Sequence, residues 1–331
     1  MKVLYIYRHP DMGFSIGRVF HSIEQEMRQY CEVKSLYLPM SNYKPISLWK
    51  NIHAVFDILK KEHFDIVHIT GTEHYLLPFL KKFRVVLTIH DLVFIENVKN
   101  PVKKLYKWLF WLCLPIKFAD EITCISNETR RKVLLQVNTN KIHVIYNPID
   151  PAFVYTPKNF NKRKPVILHI GTLWNKNLIR SIESLKNISC HLRIIGQIEK
   201  EIKNLLDKYK IDYSNVCNLS DEEIRQEYIN CDIVNFPSIY EGFGMPIIEG
   251  QQTGRIVITS SIQPLKEISG GAVFFVNPFD EQSINSAYIE AIENDKLRNT
   301  IIQQGLENVK RFHLKNIVQQ YLNIYNSSFA S

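Results

Sequence analysis

The sequence has 331 residues, of which 45% are hydrophobic and 22% charged, and its formal net charge is +8. This composition is typical of globular proteins and excludes disordered and fibrous chains, while the length exceeds what one hydrophobic core usually supports. The six cysteines include no Cys-x-x-Cys pair, so we expect buried thiols rather than a disulfide framework or a metal site. The first apolar run, at residues 2–7, is shorter than a signal peptide, and no segment is long enough to span a membrane. We therefore expect a cytoplasmic protein.

Short apolar runs alternate with amphipathic stretches through the first half of the chain. Their spacing predicts strands at residues 2–7, 65–69, 85–89, 121–126 and 142–146. Helical spacing between them predicts helices at residues 15–30, 48–61, 102–118 and 127–136. This alternation indicates an open parallel sheet with helices on both faces.

The same pattern restarts after a polar, proline-containing break at residues 162–165. The second half is predicted to contain strands at residues 166–170, 190–195, 232–236 and 255–259. Helices are predicted at residues 176–187, 199–209, 220–229 and 246–253, with a long helical tail from about residue 280. We therefore predict two doubly wound α/β domains joined near residues 150–164, with ligands at the carboxyl ends of the strands and a cleft between the two sheets.

The positive charge is concentrated in the first half. Residues 1–150 contain 21 basic and 14 acidic residues, whereas residues 151–331 contain 20 and 19. Such an excess favours an anionic partner, either a membrane surface, a nucleic acid or a phosphorylated substrate. Because no known nucleic-acid module is present, we expect no nucleic-acid partner.

A basic and aromatic stretch between Lys99 and Lys117 belongs to this half. One interpretation is a helix packed on the first sheet. The alternative is a helix lying in a membrane interface with Trp and Lys side chains at the level of the headgroups. The sequence leaves both open.

The most informative stretch runs from Ser238 to Glu249 and reads Ser-Ile-Tyr-Glu-Gly-Phe-Gly-Met-Pro-Ile-Ile-Glu. It follows a predicted strand and begins a predicted helix. Gly242 and Gly244 allow a tight turn and a close approach of backbone to a ligand, and Pro246 suits a first helical turn. The unpaired amides at the start of the helix then form an anion site. A strand–turn–helix without a ligand is the alternative, and it explains a single Glu-Gly pair better than the whole string.

Glu241 and Glu249 form a Glu-x7-Glu motif within this string, which resembles the signature of glycosyltransferase family 4, retaining enzymes of the GT-B fold. Other blocks resemble family segments in the right order: residues 169–172 with Lys176-Asn177, and residues 88–91, 119–126, 144–150 and 311–313. The resemblance covers nearly the full chain. It implies two Rossmann-like domains: an N-terminal acceptor-binding domain at residues 1–155 and a C-terminal donor-binding domain at residues 156–311. A final helix, residues 312–331, would cross back to the N-terminal domain.

The resemblance also implies roles for individual residues. Glu249 would hold the ribose hydroxyls of a nucleotide, and Glu241 would contact the transferred sugar. The amides of Phe243, Gly244 and Met245 would bind sugar and phosphate oxygens. Lys176 would neutralise the diphosphate, and Gly171 and Thr172 would lie in the loop that meets it. Gly13 would let the backbone of the opposite domain approach the phosphates, and His90 would lie near the reacting centre. Glu241, His90 and Lys176 are therefore the catalytic candidates.

The chemistry of glycosyl transfer agrees with these roles. Negative charge builds on the departing diphosphate while positive charge builds on the sugar ring. A fixed cation and a helix N-terminus stabilise that leaving group. The sequence has no Asp-x-Asp motif, so we expect no metal and no other cofactor. By the resemblance, the leaving phosphate takes the proton of the acceptor, with attack from the same face.

The sequence departs from the family pattern at two positions of the first block, and residues 251–256 lack the small residues and proline that the family usually has there. The family often has Arg directly after the glycine of the first block, where this chain has Thr172, and other members have Arg before the lysine, where it has Asn175. Lys176 would then be the cation of that block, unless Arg180 reaches in.

Several polar residues of the first half are candidates for the acceptor side. Arg8 and Arg18, in a polar loop predicted after the first strand, could meet an anionic ligand together with His90, although solvated arginines are the alternative. His68 is equally compatible with a structural and a functional role. His169 is predicted to pack within the fold.

These observations predict a retaining transfer of a hexose from a UDP- or GDP-sugar to a hydroxyl of a glycan acceptor, lipid-linked or of the lipopolysaccharide or capsule type. The expected place is the inner face of the cytoplasmic membrane of a bacterium, with peripheral contact through the basic first domain. Two alternatives remain: a GT-B nucleotide-sugar enzyme such as an epimerase, and a non-enzymatic two-lobed sugar-binding protein.

Overall fold

The computed structural model describes residues 1–12 and 15–327. They form two compact units: Met1–Pro148 with the C-terminal segment from Leu314, and Ile149–His313. Each unit contains a parallel six-stranded sheet. The prediction of two doubly wound α/β domains is therefore confirmed.

The first unit has the strand order β2-β1-β3-β4-β5-β6. Its strands are β1 Lys2–Tyr7, β2 Glu32–Tyr37, β3 Ile66–Ile69, β4 Val85–Ile89, β5 Glu121–Cys124 and β6 Ile142–Val144. Its helices are α1 Ser15–Met27, α2 Pro45–Lys61, α3 Val93–Glu96, α4 Pro101–Trp108, α5 Leu114–Phe118 and α6 Asn127–Leu134, with a π-helical turn at Leu109–Cys113 and 3₁₀ turns at Pro10–Met12 and His74–Phe79. The sheet order reverses between β1 and β3, which is where open α/β sheets bind ligands.

The second unit has the strand order β12-β11-β10-β7-β8-β9. Its strands are β7 Val166–Ile170, β8 His191–Ile195, β9 Tyr213–Val216, β10 Ile233–Phe236, β11 Ile256–Ser260 and β12 Phe274–Val276. Its helices are α7 Leu178–Leu185, α8 Lys200–Lys208, α9 Asp221–Asn230, α10 Met245–Thr253, α11 Leu265–Ser269, α12 Glu281–Glu293 and α13 Asp295–Asn308, with 3₁₀ turns at Trp174–Lys176 and Val309–Phe312. The order reverses between β7 and β10.

The last helix, α14 Leu314–Ser327, belongs to the first unit and packs against α1. Its Tyr325 hydroxyl lies 3.0 Å from the Tyr5 hydroxyl and 2.6 Å from Nδ1 of His68. Nε2 of His68 lies 2.8 Å from Oγ1 of Thr88. A buried polar network thus ties α14 to the middle strands of the first sheet.

The unit boundaries differ slightly from those expected. The chain passes into the second unit before residue 149 instead of after 155, and it leaves after residue 313 instead of 311. The reason is local pairing: the amide of Ile149 donates to the carbonyl of Phe312 at 2.8 Å, and Ile149 forms a parallel bridge with His313. Residues 149–155 therefore belong to the second unit.

The sequence patterns missed some elements. Strands β2, β9 and β12 were not predicted. β2 and β9 mix polar and apolar residues and lack a continuous apolar run, whereas β12 is an apolar run of only three residues. The helical tail expected from residue 280 is three helices, α12, α13 and α14. It breaks first at Asn294, whose side chain caps the start of α13. Within the described ranges, no helix has the length and apolar character needed to cross a bilayer.

Candidate functional site

The loops after β7 and β10 lie at the switch point of the second sheet. The chain turns after β7 at Gly171, whose φ is +88°, and a Cβ there would lie 3.1 Å from Cγ of Lys176. The absence of a side chain at Gly171 therefore lets the lysine chain lie across the backbone. Thr172 donates its hydroxyl to the carbonyl of Gln197 at 2.6 Å, so its side chain supports the loop.

Asn177 anchors the same loop from the other end. It adopts the left-handed conformation, with φ +62°, and its Nδ2 donates to the carbonyls of Pro237 and Pro278 at 3.0 and 2.7 Å. Arg180 donates to Oδ1 of Asn177 at 3.0 Å and lies over the ring of Phe279. The arginine thus supports Asn177, which in turn sets the position of the preceding lysine.

Lys176 and Glu241 form an ion pair, although they are 65 residues apart in the chain. The Nζ–Oε1 distance is 2.6 Å, and the two side chains are 20% and 13% exposed. Asn175 donates to the same carboxylate oxygen at 3.3 Å and to the carbonyl of Tyr240 at 3.0 Å. The ammonium also lies 4.8 Å from the centre of the Phe236 ring. The structure therefore brings together two of the three predicted catalytic residues.

Helix α10 begins immediately beyond this pair. Gly244 precedes it with φ +116°, and a Cβ there would lie 2.8 Å from Cδ2 of Leu265, so only glycine fits. Phe243 is buried and its ring packs edge-on against Phe312. Its side chain therefore belongs to the core, and only its backbone could meet a ligand. Met245 is the first residue of this nine-residue helix, so the predicted amides lie where the helix dipole favours an anion.

Glu249 lies one turn further along α10 and is 5% exposed. Its Oε2 accepts a hydrogen bond of 2.5 Å from the buried hydroxyl of Tyr228 on α9. A carboxylate offers about four acceptor positions, so this bond orients Glu249 without exhausting it. Sequence reasoning missed Tyr228, because nothing in the pattern of α9 distinguishes it from a core tyrosine.

His90 follows β4 in the first unit, at the carboxyl edge of the sheet. Its Nε2–H donates to the carbonyl of Thr70 at 2.8 Å, which leaves Nδ1 as the unprotonated nitrogen of the neutral ring. Burial lowers the pKa of His90 to about 4, so the ring is neutral near pH 7. Burial likewise lowers the pKa values of His68 and His169 to about 3. Both of these rings lie inside hydrogen-bonded cores, His169 with Asn235.

The predicted acceptor arginines lie on different elements. Arg8 follows β1 and is partly buried, and burial lowers the pKa of its guanidinium. Arg18 lies within α1, not in a loop, because the helix already starts at Ser15. Gly13 lies outside the described residues.

Sequence reasoning also missed Glu73, which follows β3 at the switch point of the first sheet. It is 2% exposed and accepts hydrogen bonds from Tyr43 at 3.3 Å and from Thr72 at 3.1 Å. Burial raises the pKa of this carboxyl. An isolated Glu in a loop gives no signal in the sequence, so only the fold identifies it.

The basic aromatic stretch divides into two parts. In α4 no residue is buried, whereas Leu112 and Ile116 beyond it are fully enclosed by the first core. The packed-helix interpretation thus describes the second part. In the first part residues 101–106 are exposed, and Trp108 packs partly against the core.

Comparison with known proteins agrees with this architecture. The profile described as "Glycosyltransferase Family 4" matches residues 13–153, and that described as "Glycosyl transferases group 1" matches residues 155–308. The O-antigen chain mannosyltransferase B of Escherichia coli is 31% identical over 279 residues, covering 77% of this chain and 73% of the relative. An E. coli UDP-Gal:α-D-GlcNAc-diphosphoundecaprenol α-1,3-galactosyltransferase is 25% identical, covering 89% and 80%.

Among solved structures, sucrose-phosphate synthase from Thermosynechococcus elongatus superposes with a TM-score of 0.84 at 16% identity, covering 100% of this chain and 99% of that one. At this identity the likeness shows the fold, which is GT-B. Both family profiles and the named relatives identify an enzyme that transfers sugars, in place of a binding protein. The chain belongs to the group 1, family 4 glycosyltransferases.

Proposed function

We propose that this glycosyltransferase moves a hexose from a nucleotide-sugar donor to a hydroxyl of a lipid-linked glycan, with retention of anomeric configuration. The assignment of a nucleotide-sugar donor is supported by the arrangement at the switch point of the second sheet. Lys176, Glu241 and the start of α10 lie together there, and Glu249 lies one turn away. A cation and a helix N-terminus favour a diphosphate, while the two carboxylates are hydrogen-bond acceptors for sugar and ribose hydroxyls.

Lys176 has two partners in this proposal. Before the donor binds, Glu241 neutralises it. When the donor binds, the diphosphate takes over the ammonium, and the carboxylate turns to the hydroxyls of the transferred sugar. Charge on the leaving diphosphate grows as the glycosidic bond breaks, so the ammonium and the α10 amides act most strongly in the transition state. The departing phosphate oxygen accepts the proton of the acceptor hydroxyl, and no metal takes part.

The proposed acceptor site is supported by residues of the first unit. His90 is neutral at pH 7, and its unprotonated Nδ1 can accept a hydrogen bond from an acceptor hydroxyl. Arg8 and Glu73, after β1 and β3, lie at the switch point where open sheets bind ligands. A lipid-linked acceptor is favoured because the galactosyltransferase relative is named for a diphosphoundecaprenol substrate. The exposed basic helix α4 is suited to the inner surface of the cytoplasmic membrane.

A transfer assay tests this proposal. The enzyme is incubated with UDP- and GDP-hexoses and a short-chain lipid diphosphate sugar, and the product linkage is read by NMR. We expect an α-linked product from an α-linked donor, at the same rate with and without excess EDTA. A β-linked product would contradict retention, and loss of turnover in EDTA would contradict the metal-free mechanism. An epimerised donor without a transfer product would indicate an epimerase instead.

A further inference from the structure

The first unit contains a cavity of about 370 Å³ that the proposed chemistry does not use. Its walls include Tyr43, Phe94, Lys103, Tyr106, Lys107 and Trp111. The ring of Trp111 packs against two other wall residues, with ring centroids 5.6 Å from Tyr43 and 5.8 Å from Tyr106. The carbonyl of Trp111 accepts a hydrogen bond of 2.7 Å from Nδ1 of His74, which fixes this wall to the 3₁₀ turn after β3.

The cavity lies at the ligand-binding edge of the first sheet. Thr72, in its wall, comes three residues after the end of β3 and donates to the buried carboxylate of Glu73. Phe94 lies on α3, shortly after His90 at the end of β4. The cavity therefore adjoins the strand ends at which the acceptor is expected.

The charged residues that line the cavity are both lysines. Residues 97–119 contain five lysines and no acidic residue. Lys103 and Lys107 are one helical turn apart on α4, and both line the cavity. Among the described residues, neither ammonium has a carboxylate within 4 Å. This wall is complementary to an anion.

The surface beside the cavity is apolar. Val102, Leu105 and Tyr106, at helical spacing on α4, are 76%, 63% and 49% exposed. On the side of the wall residue Tyr43, α2 begins two residues further along the chain and exposes Ile46 and Trp49 in its first turns. A wall that attracts an anion, next to exposed apolar side chains, suits an amphiphile better than a free sugar or phosphate.

We propose that this cavity binds the phosphate and the first isoprene carbons of the lipid-linked acceptor, with Lys103 and Lys107 on phosphate oxygens and Tyr43, Tyr106 and Trp111 along the chain. The volume of about 370 Å³ lies within the range of roughly 300–1,000 Å³ that is usual for small-molecule pockets. The identity of the amphiphile as the acceptor rests on the proposed function, whereas the chemistry of the cavity does not.

The test compares two charge-matched variants of the full chain. In the first, Lys103→Gln and Lys107→Gln remove both lysines that line the cavity. In the second, Lys99→Gln and Lys104→Gln remove two lysines of the same segment that do not line it. The probe is farnesyl diphosphate, below its micelle concentration and without a sugar donor, and binding is measured by equilibrium dialysis.

We expect the first variant to raise the dissociation constant for farnesyl diphosphate by about 10- to 100-fold, because two charge-assisted contacts are lost. The second variant should change it less than threefold. Equal effects in the two variants would overturn the proposal, as would no effect in either, since the probe would then be held by general charge or at another site.

A second arm uses phosphatidylglycerol vesicles without farnesyl diphosphate. Here both variants should weaken binding equally, because a membrane surface responds to the net charge of the helix. If only the first variant weakens vesicle binding, the cavity takes a membrane lipid headgroup and the proposal is wrong.

The outcome is separable from that of the proposed function. If the enzyme turns over a donor but the first variant binds farnesyl diphosphate as tightly as the wild type, this inference is wrong and the proposed function stands. Selective loss of binding in a protein that turns over no donor would support the cavity and contradict the proposed function.

Discussion

The Lys176–Glu241 pair gives the sharpest prediction, which concerns the variant Lys176→Met. Methionine keeps most of the apolar length of lysine but removes the ammonium. Removal of one preorganised donor from a developing oxyanion costs about 2.7–4 kcal/mol, or about 10²- to 10³-fold in kcat. We therefore expect kcat for donor cleavage to fall by about that factor.

The donor KM should change much less, by under about tenfold. Because the ammonium is already 2.6 Å from Oε1 of Glu241, donor binding exchanges one anionic partner for another. The contribution of the ammonium to the free energy of donor binding is thus the difference between two ionic interactions. Each is worth about 4 kcal/mol at 4 Å in an effective dielectric of 20. The gain in the transition state also includes the charge that develops as the bond breaks.

Steady-state assays of nucleotide release measure both constants, and thermal unfolding shows whether the variant is folded. Lys176→Arg is the matched control, because it keeps the charge, and it should recover part of the lost kcat. The double variant Lys176→Met with Glu241→Gln should be slower than either single variant if Glu241 also contacts the sugar. A kcat within threefold of the wild-type value in Lys176→Met would refute the reasoning.

Three further predictions concern other parts of the fold. Gly244→Ala should lower the free energy of unfolding by about 2–4 kcal/mol, because φ is +116° and the new Cβ meets Leu265. In the control variant Gly17→Ala, on α1, the new Cβ meets nothing within 4 Å, so the change should be neutral or stabilising by up to about 1 kcal/mol. Tyr228→Phe should raise the donor KM by about 2- to 10-fold with little change in kcat, because it keeps the ring and removes the hydrogen bond that orients Glu249. The free energy of unfolding should fall as the pH drops below 6.5, and His68→Leu should reduce that slope by up to about 1.4 kcal/mol per pH unit.

The sign of the pH effect follows from burial. Burial lowers the pKa of His68 to about 3 in the folded protein, against about 6.5 in the unfolded chain. The unfolded chain therefore binds the proton first, and stability present above pH 6.5 is lost as the pH falls toward 3. Urea unfolding at pH 7, 6 and 5 measures this slope. An identical slope in His68→Leu would contradict the assignment.

Controls distinguish the other two effects. Equal unfolding energies for Gly244→Ala and Gly17→Ala would show that the turn before α10 is not constrained as described. A fall in kcat with unchanged KM in Tyr228→Phe would show that Glu249 acts in the chemical step, and not in holding the nucleotide.

The parts of the fold that the sequence predicted are those with continuous apolar runs. β1, β4 and β7 are buried on both faces, so their sequences are almost entirely apolar and their limits are easily recognised. Strands β2 and β9 carry polar residues in polar surroundings, so their sequences resemble loops. The order of strands depends on pairing between distant segments and could not be predicted from local patterns.

The candidate site divides in the same way. The string from Ser238 to Glu249 predicted a strand, a tight turn and a helix N-terminus, because glycine and proline have local conformational reasons for their positions. The contact of Lys176 with Glu241 and that of Tyr228 with Glu249 join residues that are far apart in the chain or on different helices. Such contacts are set by packing and leave no local signature.

The central claim is that the second unit binds and cleaves a nucleotide-sugar, and a donor panel tests it most directly. The protein is incubated with UDP-, GDP- and ADP-sugars without added metal, and released nucleotide is measured for the wild type, Glu249→Ala and Lys176→Ala. We predict slow release from one donor by the wild type and at least a tenfold slower release by each variant, with all three proteins folded. Release that is unchanged in both variants, or no release and no thermal stabilisation with any donor, would contradict the assignment of this site.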